Sequence, residues 1–172
     1  RMGLEPMGEN GTYFQTVNIV DRSYDSATRL SVGSTNFAPW TDYVLRDQGS
    51  GARSLDGVQA VFGGTWGDSA SLIDATQASG KLVVLRLSPS SASPGTGGGV
   101  NRSQVTRRFS TAAGIAVASL EAMAPQLVQI YQQKNQLVKD ATDPSVPSFM
   151  YVTQRVANSL LNASIDSLKS GA

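Results

Sequence analysis

Between residues 12 and 20 the chain is β-branched and aromatic, with Tyr13, Gln15, Val17 and Ile19 on one face, the alternation of a strand. The turn formers Pro6, Gly8, Asn10 and Gly11 make the preceding stretch a loop. Thr28, Leu30 and Val32 predict a short second strand, broken at Gly33 and followed by an irregular stretch through Pro39-Trp40. Tyr43-Val44-Leu45 reads as a third strand, closed by the turn cluster 47–51. A fourth alternates through Val58, Ala60 and Phe62 and ends in a tight turn at Gly63-Gly64. Asp68 is placed to cap a short helix over 69–78, which Gly80 stops. The apolar run 81–87 then predicts the clearest buried strand of the chain.

Residues 88–100 are a low-complexity tract of Ser, Pro and Gly, read as an exposed mobile loop. A helix beginning near Asn101 or Ser103 and reaching Ala113 puts Val105, Phe109 and Ala112 on one side, with Gly114 as its C-terminal stop. A strand over 115–120 leads to a helix over 121–136, with Leu127, Ile130 and Tyr131 facing inward. After a loop at 140–144 come a strand over 146–152 and a helix over 154–162 capped by Thr153. Residues 164–172 read as one more short element or a fraying end. A β-rich start followed by alternating strands and helices predicts an α+β fold, a mixed sheet with helices packed on one side.

The 172 residues suffice for a sizeable core, and at 16% charged residues the chain is charge-poor against the usual quarter or so. Its formal net charge of +1 argues against a nucleic-acid surface, which needs clustered Lys and Arg. The adjacent pair Arg107-Arg108 reads as a solvated helix face. No apolar run is long enough for a membrane span. The chain opens at Arg1 on a polar turn segment, shows no signal peptide, and reads as a piece of a longer protein.

Histidine and cysteine are both absent, which removes imidazole and thiolate metal ligands and every nucleophile–histidine arrangement. Ser79 with Lys81, or Ser167 with Lys169, would place a lysine at a turn or chain end, where it stays solvated and protonated. The glycines of 95–99 lack the Gly-Lys-Ser/Thr ending of a phosphate loop, and Gly80-Lys81 is followed by Leu82. Asp21 and Asp25 read as a solvated turn, and no calcium-loop pattern is present. The expectation is a non-catalytic domain with no metal or cofactor of its own. Trp40 and Trp66 stand beside turns, either as binding anchors or as plugs at the end of a small barrel. With Arg86, they are the candidate peptide- or protein-contact residues. Asn-x-Ser/Thr triplets start at Asn10, Asn101 and Asn162 and would carry glycans only in a secretory eukaryote.

Several segments, in order, resemble the protease-associated domain inserted into secreted two-zinc aminopeptidases. Gly3-Leu4-Glu5-Pro6-Met7-Gly8-Glu9-Asn10-Gly11-Thr12-Tyr13-Phe14-Gln15 is similar to the peptidase segment that precedes the insertion. Residues 55–64 resemble that domain's strand ending in a glycine turn, and Ser79-Gly80-Lys81-Leu82-Val83-Val84-Leu85 its glycine-lysine strand. Ala112-Ala113-Gly114-Ile115-Ala116-Val117 resembles its helix-to-strand step, and residues 146–152 its late strand. The tract 88–100 and an enlarged helix and loop over 121–145 depart from the pattern. The resemblance implies a swivelling β/β/α open barrel or sandwich, with 1–45 as peptidase-flanking segment and first strands and 46–172 as the domain. It further implies a secreted, periplasmic or cell-surface protein, and a cognate peptidase domain as partner. The zinc ligands of that peptidase would lie after residue 172. The domain would then shape substrate access or protein contacts; a free-standing interaction or cargo-binding domain is the alternative.

Overall fold

The computed structural model describes residues 3, 5, 7–24, 27–46, 54–88, 102–133, 135–138 and 146–171. The element order is β1 (Ile19–Arg22), β2 (Leu30–Val32), β3 (Thr35–Phe37), β4 (Tyr43–Leu45), β5 (Ala60–Trp66), α1 (Ala75–Ala78), β6 (Leu82–Leu87), α2 (Arg102–Arg108) and β7 (Gly114–Ala118). It continues with α3 (Pro125–Gln132), β8 (Asn135–Val138), β9 (Ser148–Val152) and α4 (Gln154–Leu161). The expected mixture of strands and helices is present, as a five-stranded mixed sheet in the order β4-β9-β7-β6-β5. β5, β6, β7 and β9 run parallel, and β4 is antiparallel to β9. β2 and β3 form a hairpin, and β1 pairs with β8 in a separate two-stranded sheet.

β6 explains the architecture. Leu82, Val83, Val84 and Leu85 are all buried, so both faces of the sheet must be covered. Val83 and Leu85 join Val61, Ile115, Val117 and Phe149 on one face, beneath Ala78, Val105 and Phe109. Leu82 and Val84 join Phe62, Ala116, Met150 and Val152 on the other, beneath Val156 and Ala157 of α4 and the buried Ile165. The expectation of helices on one side is therefore corrected: α1 and α2 cover one face, and α4 covers the other. A strand apolar on both faces cannot leave either to water. Each fully buried Phe contributes about 1.5–3 kcal/mol relative to exposure.

Other boundaries shift for local reasons. β5 does not end at Gly63-Gly64 but runs through it to Trp66, with an irregular register between Phe62 and Gly64. Gly64 has φ +106, and a Cβ there would overlap the Ser71 carbonyl, because 68–73 folds back across the irregularity. That fold-back is held by Ile73 N–H donating to the Gly63 carbonyl (3.1 Å) and Thr65 N–H to Ser71 Oγ (2.9 Å). Asp68 consequently caps no helix; its Oδ1 accepts from Ala70 N–H within a turn (3.1 Å), and α1 starts after Asp74. Gly114 opens β7 and does not stop α2; a Cβ there would lie 3.1 Å from Leu82 Cδ1 and 3.3 Å from the Ser148 carbonyl oxygen.

The helix expected over 121–136 is reduced to Pro125–Gln132, since Pro125 sets its first turn, and Ile130 faces solvent while Val128 is half-buried. The strand expected over 12–20 forms only from Ile19. β4 and the β2–β3 hairpin, grouped on sequence with the flanking segment, build into the larger fold: β4 pairs with β9, and Phe37 and Tyr43 are buried in its core. The turn cluster 47–51, the tract 88–100 except Ser88, and the loop 140–144 lie outside the described residues.

Candidate functional site

The sheet order sets Trp40 apart from Trp66 and Arg86, which stand on neighbouring strands but opposite faces. Trp40 precedes β4 at one edge of the sheet, while Trp66 ends β5 at the other. Trp66 is half-buried and stands edge-on to Phe149, ring centroids 6.0 Å apart, as part of the core of its face. Arg86 is on the opposite face. It donates to Thr65 Oγ1 (3.2 Å) and to the Asp166 carbonyl (3.4 Å), pairs with the Asp166 carboxylate (3.7 Å), and lies over the Phe62 ring. Asp166 in turn accepts from Gln154 Nε2 (2.6 Å), so Arg86 ties two strands to the C-terminal segment and α4.

Trp40 is placed differently. It is half-buried, with φ +68, a left-handed conformation uncommon for a bulky residue. The surrounding loop holds it there. Trp40 N–H donates to the Tyr43 carbonyl (2.8 Å), Asp42 N–H to the Ala38 carbonyl (2.9 Å), and Ala38 N–H to Asp42 Oδ2 (2.8 Å). The buried Asp42 carboxylate also accepts from Arg155 Nη2 at 2.6 Å. That hydrogen bond, the Ala38 amide and the Arg155 charge hold the Asp42 carboxyl below its ordinary pKa, against the opposing effect of burial. A charged residue clamped at the neck of a loop is how a strained backbone persists.

Beside Trp40 opens a cleft of about 280 Å³, walled by Tyr24, Thr28, Arg29, Pro39, Trp40 and Tyr43. Tyr24 and Trp40 meet edge to face with centroids 4.5 Å apart. The Tyr43 hydroxyl lies 3.5 Å from the Thr28 carbonyl, toward which it donates; burial raises its pKa and the Arg29 charge opposes that rise, so the phenol is neutral near pH 7. Arg29 is exposed and donates to the Thr28 carbonyl (3.0 Å). Sequence reasoning named Trp40 but missed Tyr24, Arg29 and Tyr43. The available signal was Asp42, an acid beside a Pro-Trp turn and positioned to close it.

A second feature lies apart from any cleft. Met7 (95% exposed), Tyr13, Phe14 (82%), Val17 and Ile19 stand in water along the N-terminal stretch. Among the described residues, no group of three or more potential ligands gathers as a metal site, and no helix is long and apolar enough to cross a membrane. Comparison with known protein families, with curated proteins and with solved structures finds no match to this chain.

Proposed function

We propose that this chain is a non-catalytic accessory domain of the protease-associated type, carried by a secreted zinc-dependent aminopeptidase- or carboxypeptidase-type enzyme and shaping substrate access or protein contacts. The observation that carries the reading is the exposure of the large apolar residues Met7, Tyr13, Phe14, Val17 and Ile19 within one stretch of chain. It falls in and just after the segment that resembles the peptidase stretch before the insertion. Large apolar side chains concentrated in one exposed stretch suit a surface that another body covers, and here that body is the cognate peptidase domain. The other resembling segments form β5, β6, β7 and β9, neighbours in one sheet and in chain order. On this reading the five-stranded sheet and its helices are the swivelling β/β/α body. Zinc belongs to the peptidase, because this chain has neither histidine nor cysteine to hold it.

Two measurements test the proposal. The coding sequence beyond Ala172 is expected to contain a His-x-Asp motif followed by a Glu-Glu pair, and their absence overturns the assignment. The isolated chain, supplied with zinc, is expected to hydrolyse neither peptides nor esters. Turnover that survives repurification overturns the non-catalytic reading.

A further inference from the structure

The exposed turn before Thr12 carries an inference that goes beyond the accessory role and does not rest on it. We infer that Asn10-Gly11 is a site of self-modification, where the chain converts its own asparagine through a cyclic imide into aspartate and isoaspartate. Among the asparagines of the chain, Asn10 alone precedes glycine. The reaction closes a ring between the Asn10 side chain and the Gly11 nitrogen, so a side chain at residue 11 would crowd the approach. Glycine has none, and a Cβ placed at Gly11 would meet nothing within 4 Å, so neighbouring chain does not crowd that side either.

Asn10 is exposed, in the single turn Glu9–Gly11 that Gly8 N–H closes by donating to the Thr12 carbonyl (2.7 Å). Its backbone is left-handed, with φ 55 and ψ 32, and ψ must rotate to bring the Gly11 nitrogen onto the side-chain carbon. Neither residue belongs to a core cluster, so that rotation opens an exposed turn and no packed contact, the kind of local opening that costs least. The other sites are set differently. Asn18, Asn36 and Asn162 precede Ile19, Phe37 and Ala163. Asn158 lies within α4, and its Oδ1 accepts from Ile165 N–H (2.8 Å), which holds the carboxamide away from its own backbone. Asp56 precedes Gly57, but its carboxylate is a poor electrophile and accepts from Ser54 Oγ (2.6 Å).

The step balances with water as co-reactant. The Gly11 nitrogen gives up its proton to solvent and bonds to the Asn10 side-chain carbonyl carbon. The bond from that carbon to the amide nitrogen breaks, and the nitrogen takes up protons from water and leaves as ammonia. Water then opens the imide at either carbonyl, giving aspartate or isoaspartate. Each event adds a negative charge at residue 10, and isoaspartate also lengthens the backbone of the turn by one carbon.

The test ages the complete 172-residue chain, folded and in guanidinium chloride, in neutral and mildly alkaline buffer. Peptide mapping by mass and by isoaspartate methylation reads the product at each position. The folded chain is expected to form aspartate and an excess of isoaspartate at residue 10, faster in the alkaline buffer because the attacking amide must lose a proton. Gly11→Ala is expected to slow this about tenfold, equivalent to about 1.4 kcal/mol on the barrier. Asn10→Gln is expected to abolish it over the same period, and Asn158 to react only in the unfolded chain. Modification at Asn10 no faster than at Asn18 or Asn162, aspartate without isoaspartate, or a Gly11→Ala chain that ages like the parent overturns the proposal. So does protection of Asn10 in the folded chain by more than about tenfold over the unfolded one, which an exposed turn does not provide.

Discussion

Asp42 shows how one buried charge governs a loop, and its behaviour with pH follows from the direction of its pKa. A carboxyl held below its unfolded value near 3.9 contributes stability that is fully present above that value and lost as pH falls through the folded one. Asp42→Asn is therefore expected to lower stability at pH 7 by roughly 1–3 kcal/mol. The gap to the parent should begin to narrow as the pH drops below about 4 and close only as it falls through the lower folded-state value. Urea melts across pH 3–7 measure this, and a gap independent of pH would contradict it. Arg155 is largely exposed at its side chain, so Arg155→Ala is expected to cost less, about 1 kcal/mol or below.

Arg107 and Arg108 divide what the sequence treated as one solvated pair. Arg107 is exposed, but Arg108 donates from Nε to the Ile73 carbonyl (3.0 Å) and from Nη2 to the Leu72 carbonyl (2.9 Å), fastening α2 to the segment before α1. Arg108→Ala is expected to destabilise by about 1–3 kcal/mol and Arg107→Ala by less than about 0.5. Denaturant midpoints of the two variants check the split. Adjacency in sequence carries no information about which of two neighbours on a helix turns toward an unsatisfied carbonyl.

Among the elements, α4 was the most legible, because its signals are local. Thr153 accepts from Val156 N–H (3.3 Å), and Asn162 closes the helix in the left-handed conformation. Less visible was the partner at its N-terminus: Glu121 Oε1 accepts from Gln154 N–H (2.6 Å) across 33 residues of chain. Thr153→Ala is expected to cost about 1 kcal/mol, read from the shift in urea midpoint at constant slope. Where signals depended on distant chain, the reading slipped. The hairpin of β2 and β3 turns at Gly33-Ser34, with Leu30 opposite Phe37, yet only its first strand was legible. β3 is three residues long, too short to show a period. The glycine pair within β5 looked like a turn because nothing local reveals that 68–73 lies across it.

At the scale of the molecule, both faces of the central sheet are dry, and the apolar run of β6 had announced as much. Helices on one side was deduced from the order of elements, and that order does not say how many faces of the sheet need covering. The cleft was legible only through Trp40, since Tyr24, Arg29 and Tyr43 converge through the fold and not through spacing.

The N-terminal ledge has a consequence for the whole protein that can be measured on this chain. Phe14 and Val17 are exposed and belong to none of the three core clusters, so replacing them should leave the folded core untouched. Phe14→Ser with Val17→Thr is expected to change unfolding stability by no more than about 0.5 kcal/mol. Self-association is expected to fall, because large exposed apolar groups in one stretch of chain favour association in water. Sedimentation velocity over a concentration series, beside urea melts of parent and variant, reads both quantities. A loss of stability without a change in association would mean the ledge packs against its own chain. A loss of association alone is the behaviour of a surface shaped for another body, and restoring apolar groups at both positions should bring the association back.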